Sequence, residues 1–207
     1  LLLLVLTPSF TLAADPPPAK PAPAAKPKAA PATLPKPTFA DVAYGPHERQ
    51  VLDFWKAKSA KPAPVLFFIH GGGWVIGDLD THHPFCQQIA HKTGATVLAL
   101  NYRLAPEHPW PAAQDDCLAA AEWVAAHLNE LGPSNGRIVI AGDSAGGNLT
   151  ACTCLTMTAP ALTRVSGVAT LYPAVDHYLR DWPSYQERAR ASALTSTLMR
   201  WFWDTYL

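Results

Sequence analysis

The stretch Arg137-Ile-Val-Ile-Ala-Gly-Asp-Ser-Ala-Gly-Gly-Asn-Leu-Thr150 decides the fold. Its first part, 137–141, is a continuous apolar run of the kind found in strands buried on both faces of a parallel sheet. Its last part opens a segment from Ser144 to about Met157 that reads as a helix. Between them lies Gly142-Asp143-Ser144-Ala145-Gly146. A strand before and a helix after are what a nucleophile elbow requires, because the sharp turn forces its central residue into a strained backbone conformation. Glycines two before and two after remove the side chains that would clash there. Ser144 would then present its hydroxyl at the C-terminal edge of the sheet, beside a helix N-terminus that favours developing negative charge. The same five-residue pattern also occurs in ordinary loops, and the flanking elements are what argue against that reading here.

Working outward, Val65–Ile69, Thr96–Leu100 and Gly167–Leu171 are further apolar runs that read as strands, and Val42–Tyr44 and Val51–Trp55 read as short ones. Helices are predicted around 84–93, from Pro111 to about Leu128, and from Ser144 onward. In the second, Leu118, Ala121, Ala125 and Leu128 recur at helical spacing, Pro111 suits a first-turn position, and Asp115 and Asp116 lie early, where the helix dipole favours carboxylates. This alternation of strand and helix predicts an α/β fold: a mostly parallel, twisted sheet with helices on both faces.

The chain of 207 residues, 49% of them apolar, is large enough for one domain with a real core. Sixteen basic residues balance sixteen acidic ones, so no net field draws nucleic acid, anionic lipid or a highly charged substrate. A small neutral molecule suits it better. Residues 1–14 read as a signal-peptide remnant, an apolar run ending in small residues, and imply a secreted or periplasmic protein; an uncleaved anchor is the alternative. That run is shorter than the roughly 20 apolar residues needed to span a bilayer, and no later stretch qualifies. Residues 15–38 read as a linker, since nine of the chain's 21 prolines fall within 15–37, interleaved with Ala and Lys. Residues 39–207 are read as the N-terminal portion of the globular domain. The four cysteines show neither disulfide-framework nor zinc spacing, so buried thiols are expected.

A second motif, His70-Gly-Gly-Gly-Trp74, begins where the apolar run Val65–Ile69 ends. Three successive glycines leave backbone amides unshielded, and acyl transfer needs such donors aimed at the oxyanion of a tetrahedral intermediate. Gly72 and Gly73, with Ala145 after the candidate nucleophile, are the expected donors. A flexible turn is the plainer alternative, whereas the Gly-Lys-Ser/Thr ending of a phosphate loop is missing. His82 and His83 with Asp78 and Asp80 lack the i, i+4 histidines of a helical zinc motif, so no metal and no cofactor are expected.

Taken together, these motifs resemble the hormone-sensitive-lipase-like esterases of the α/β-hydrolase superfamily. The resemblance rests on His70–Trp74, Gly77-Asp-Leu-Asp-Thr-His82, Tyr102-Arg-Leu-Ala-Pro-Glu-His-Pro-Trp-Pro-Ala-Ala113, Gly142–Gly147, and the stretch from Leu194-Thr to Trp201-Phe-Trp-Asp-Thr-Tyr-Leu207, in the family's order. It implies hydrolysis of a carboxylic ester through an acyl-enzyme, with Ser144 as nucleophile and Gly72, Gly73 and Ala145 binding the oxyanion. It also implies structural supporting roles for Asp143 and His70, and an architectural one for Tyr102–Ala113. Two departures stand out. The family's cap is built partly from N-terminal helices, which a Pro/Ala/Lys tract cannot form, so a reduced cap or one drawn from elsewhere is expected. The family's triad order is Ser, then acid, then His; Asp176 and His177 come in that order, but adjacent residues cannot both point correctly and the family's acid lies further on, so acid and base are expected beyond Leu207. A polysaccharide acetyl or feruloyl esterase, or a non-catalytic binding protein on the same fold, are the alternatives.

Overall fold

Phe67 and Ile69 point to one side of a strand and Leu66 and Phe68 to the other, and all four are apolar, so this strand must be covered on both faces. The computed structural model, which describes residues 36–57, 61–180, 182–190 and 193–207, shows how. Six strands form one sheet: β1 (Phe39–Ala43), β2 (Val51–Trp55), β3 (Ala63–Ile69), β4 (Val97–Leu100), β5 (Ser134–Asp143) and β6 (Val165–Leu171), in the order β1-β2-β4-β3-β5-β6. β4, β3, β5 and β6 run parallel, while β1 and β2 form an antiparallel edge. The sheet is therefore mostly parallel, as the alternation predicted.

Helix α1 (Leu79–Thr93) covers one face, where Trp55, Phe68, Leu79, Cys86, Val97, Ala99 and Ala141 pack together. On the other face α2 (Ala112–His127) and α3 (Ala145–Thr156) pack over Leu52, Val65, Phe67, Ile69, Leu98, Leu100, Ile138 and Ile140. Burying each such side chain contributes roughly 1.5–3 kcal/mol, which makes this two-sided core the main source of stability. The short α4 (Ala159–Leu162) leads into β6. After β6 come α5 (Pro183–Glu187) and α6 (Ser196–Tyr206).

Several element bounds differ from the sequence reading. α1 begins at Leu79 rather than near residue 84, with Pro84 inside it, because Asp78 and Thr81 cap each other reciprocally: the Asp78 carboxylate accepts the Thr81 N–H at 2.9 Å and the Thr81 hydroxyl accepts the Asp78 N–H at 3.1 Å. β1 begins earlier than Val42, and a bulge between Phe39 and Val42, with Asp41 at φ 54°, shifts its register against β2. β5 and β6 are both longer than their apolar runs. Residues 1–35, the predicted signal peptide and nearly all of the predicted linker, lie outside the described residues. Among the described residues no helix is long and apolar enough to cross a membrane.

The Tyr102–Ala113 segment is held by charge-assisted hydrogen bonds. Asp116, fully buried on α2, accepts from the Arg103 guanidinium at 2.7 Å and 2.9 Å, from the Arg103 N–H at 2.9 Å and from Gln50 Nε2 at 2.6 Å. Arg49, which the sequence reading passed over, donates to the Tyr102 and Gly77 carbonyls at 2.9 Å and 3.0 Å and to Asn101 Oδ1 at 2.9 Å. All four cysteines are free; Cys86 and Cys117 are buried, and burial pushes the Cys86 thiol up to about 12.

Candidate active site

β3 and β5 are neighbours in the sheet, with Ile69 opposite Gly142, so the loops leaving their C-terminal ends emerge side by side. That register brings His70–Trp74 against Gly142–Gly146. The contact is too close for side chains: a Cβ on Gly146 would strike the carbonyl oxygen of Ile69, and one on Gly71 would lie 2.5 Å from Asp143 Oδ2.

Ser144 sits between the end of β5 and the first residue of α3 with φ 52° and ψ −118°, a conformation that costs a residue bearing a Cβ on the order of 1–3 kcal/mol. Its own backbone is pinned from both sides. The Ser144 N–H donates to the Leu171 carbonyl at 2.9 Å, and the Ser144 carbonyl accepts the Ala174 and Asn148 N–H groups at 3.1 Å each. Asn148 Nδ2 then donates to the Ala174 carbonyl at 3.0 Å, closing the ring of contacts around the turn.

On the facing loop, Gly72 and Gly73 have φ 116° and 60°. The Gly72 carbonyl is turned inward, accepting from Ile76 at 3.0 Å and Val75 at 3.2 Å. The Gly71 N–H is already used, donating to Asp143 Oδ1 at 2.9 Å. By contrast, among the described residues the N–H groups of Gly72, Gly73 and Ala145 donate to no protein acceptor. All three residues and Ser144 line one cavity of about 730 Å³.

Asp143 reaches away from that cavity. Besides Gly71, its carboxylate meets His82 Nε2 on α1 at 3.2 Å. Burial alone would raise its pKa, but the His82 hydrogen bond and charge and the Gly71 amide outweigh it, holding the carboxyl below its usual range. His70 lies below the loop, stacked on Tyr102 with ring centroids 4.3 Å apart, its Nδ1 2.7 Å from the Gly71 carbonyl and its own carbonyl accepting the Tyr102 hydroxyl at 2.8 Å. Burial lowers its pKa to about 4, so the ring is neutral at pH 7 and Nδ1 carries the proton it donates. Both residues brace backbone; neither touches the cavity.

Of the other residues weighed from sequence, His82 pairs with Asp143, Asp78 caps α1, and the His83 ring packs edge-on against Trp55 at 4.9 Å. Among the described residues no group of three or more His, Cys, Asp or Glu side chains could hold a metal. Asp176 does line the cavity, but its carboxylate accepts Trp182 Nε1 at 2.7 Å and the His177 N–H at 2.9 Å and pairs with Arg180 at 3.4 Å. The His177 ring packs on Trp203 and Tyr178, and His177 is not among the residues that line the cavity.

A family model described as the alpha/beta hydrolase fold matches residues 66–207. The chain is an α/β hydrolase. Within that superfamily the Gly142–Gly147 signature and the relatives put it in the hormone-sensitive-lipase-like branch. It is 55% identical over 94 residues to Lipase 2 of Moraxella sp. (strain TA144), covering 45% of this chain and 22% of that one. It is 35% identical over 145 residues to the ethyl acetate hydrolase of Pseudomonas putida, covering 69% of this chain and 45% of that one. The solved structure of a hyperthermophilic esterase from Pyrobaculum calidifontis superposes with a TM-score of 0.71 at 38% identity, over 75% of this chain and 52% of that one. This α/β hydrolase thus spans less than half the length of either curated relative and about half of the solved one.

What the sequence reading did not supply is the cavity's roof. Tyr172, Tyr185, Leu194, Leu198, Met199 and Phe202 line it, all from the stretch after β6. Of these, Tyr185 comes from α5 and Leu198, Met199 and Phe202 from α6. α6 could have been found from Thr195, whose hydroxyl accepts the Leu198 N–H at 3.1 Å, and from the apolar face that follows.

Proposed function

We propose that this chain carries the nucleophile and the oxyanion-binding amides of a carboxylic ester hydrolase. Ser144 is the nucleophile, and Gly72, Gly73 and Ala145 are the donors to the oxyanion. The reading rests above all on one observation: Ser144 is held at φ 52° at the mouth of an apolar cavity whose other wall is a pair of glycine amides with no protein acceptor. An ordinary loop would not sustain that strain; a turn pinned by Leu171, Ala174 and Asn148 does.

In the reaction, the Ser144 hydroxyl gives its proton to a histidine base as its oxygen bonds to the ester carbonyl carbon. The carbonyl oxygen, now an anion, takes hydrogen bonds from the three amides, aided by the positive end of α3. Collapse of the intermediate breaks the bond to the alcohol, which leaves with the base's proton. Water then releases the acid from the acyl-enzyme by the same steps. The base and its carboxylate partner are not assigned to residues of this chain, because Asp176 is engaged by Trp182 and Arg180 and His177 packs on Trp203.

The substrate is a small neutral ester. The cavity is walled largely by Ile76, Val175, Leu194, Leu198, Met199 and Phe202, and among the described residues its lining holds no Lys or Arg to meet a charged acid. The test is labelling of the full-length protein by a fluorophosphonate probe, which should bond to Ser144 and vanish in Ser144→Ala. Labelling that persists in that variant refutes the assignment.

A further inference from the structure

Three consecutive residues of the glycine loop have positive φ: 116° at Gly72, 60° at Gly73 and 61° at Trp74. Glycine adopts this region freely, but Trp74 has a Cβ and does not. Something must hold it there, and the packing of its indole identifies the holder as α6. The buried Trp74 ring lies parallel to Tyr206, with centroids 4.5 Å apart and planes 6° from parallel, and tilted against Trp203 at 4.5 Å. One residue earlier, the Phe202 ring packs against Gly73 so closely that a Cβ there would be 2.6 Å from the ring's Cε1. Positions 202, 203 and 206 share one face of α6. The helix end is itself tied down, since the Tyr206 carbonyl accepts the Trp110 N–H at 2.7 Å. Among the described residues the buried indole N–H groups of Trp74 and Trp203 meet no acceptor, so these rings are held there by packing surface and not by hydrogen bonding.

We propose that α6 is a positioning clamp for the oxyanion loop, in which Phe202 and Tyr206 press Gly73 and Trp74 into the left-handed conformation that sets the direction of the Gly73 amide. The same helix lends Leu198, Met199 and Phe202 to the cavity wall, so the element that roofs the substrate also aims the donors. Phe202 and Tyr206 are positioning residues. Tyr206 is absent from the cavity lining and acts only through Trp74.

The proposal rests on the esterase reading above, and the experiment separates the two. In the full-length protein, Tyr206→Leu removes the ring that stacks on Trp74, and Tyr206→Phe keeps it. Kinetics are read on p-nitrophenyl acetate, butyrate and octanoate, with thermal unfolding as the check on folding. A clamp predicts that Tyr206→Leu lowers kcat by about 10²-fold, the usual effect of a misplacement near 1 Å, equally for all three esters and with KM little changed. Tyr206→Phe should retain wild-type kcat. A folded Tyr206→Leu protein with kcat within twofold of wild type, or one whose loss falls on KM and grows with acyl length, overturns the clamp. Should Tyr206→Leu fail to fold, Phe202→Leu is read by the same kcat criterion and decides. Fluorophosphonate labelling that survives Ser144→Ala overturns the esterase reading instead, whatever Tyr206 does.

Discussion

Gly146→Ala tests the claim that the elbow and the oxyanion loop are in direct backbone contact. A methyl on residue 146 would stand 2.6 Å from the His70 carbonyl oxygen and nearer still to that of Ile69. Close carbon–oxygen contacts in proteins settle at about 3.3 Å, so the two loops would have to part by about 0.7 Å or more. Neither can yield cheaply, because both obstacles are main-chain atoms at the end of a central strand. Overpacking of this kind typically costs about 1–3 kcal/mol. The catalytic effect should be larger than the loss of stability suggests. Parting the loops moves the Gly72 and Gly73 amides away from Ser144, and a displacement near 1 Å costs about 10²-fold in rate. The assays are urea unfolding and kcat on p-nitrophenyl acetate. A variant that unfolds at the wild-type urea midpoint and turns over within twofold of wild type would refute the close contact and the coupling built on it.

Two further perturbations probe the supports around the site. Asp143→Asn should make stability less dependent on acid pH. The folded carboxyl titrates below its usual value, so what it contributes is complete above about pH 5 and is lost as pH falls through the folded value. The gap in unfolding free energy between wild type and Asp143→Asn should therefore narrow on going from pH 6 to pH 3, and a gap that stays constant or widens contradicts the assignment. Asp116→Ala strands the Arg103 guanidinium and the Gln50 amide around a buried void, and should destabilise by about 3 kcal/mol in chemical denaturation. A loss under 1 kcal/mol would mean that the Arg103–Asp116 fork does not hold the Tyr102–Ala113 segment.

Where the sequence spoke clearly, a single physical cause dominated. Strands β3, β4 and β5 are buried on both faces, so Val65–Ile69, Val97–Leu100 and Ile138–Ala141 had to be apolar throughout, and their register then brought His70–Trp74 to Ser144. The start of α1 was hidden because its cap is an Asp and Thr pair, not Ser/Thr with Glu, and because Pro84 looks like a beginning rather than an interior residue. The bulge in β1 depends on Asp41 taking φ 54°, which no pattern of hydropathy signals. The His82 link to Asp143 and the Arg49 bridges to Tyr102, Gly77 and Asn101 join residues far apart in the chain and leave no periodic trace. The roof was the largest gap. Its residues are apolar like any core, and only the fold shows that Leu198, Met199 and Phe202 face a cavity.

The contacts that hold Ser144 give the protein a timetable. The strained turn is closed by Leu171 and Ala174, which are made after α3 and only once β6 has been translated and laid beside β5. A nascent chain that has reached only the end of α3 already contains Gly142–Gly146 and the glycine loop, yet only the Asn148 N–H is there to hold the Ser144 backbone, the Leu171 and Ala174 contacts being still unmade. The turn therefore matures late: until the neighbouring strand arrives, it lacks two of the three backbone contacts that hold Ser144 at φ 52°.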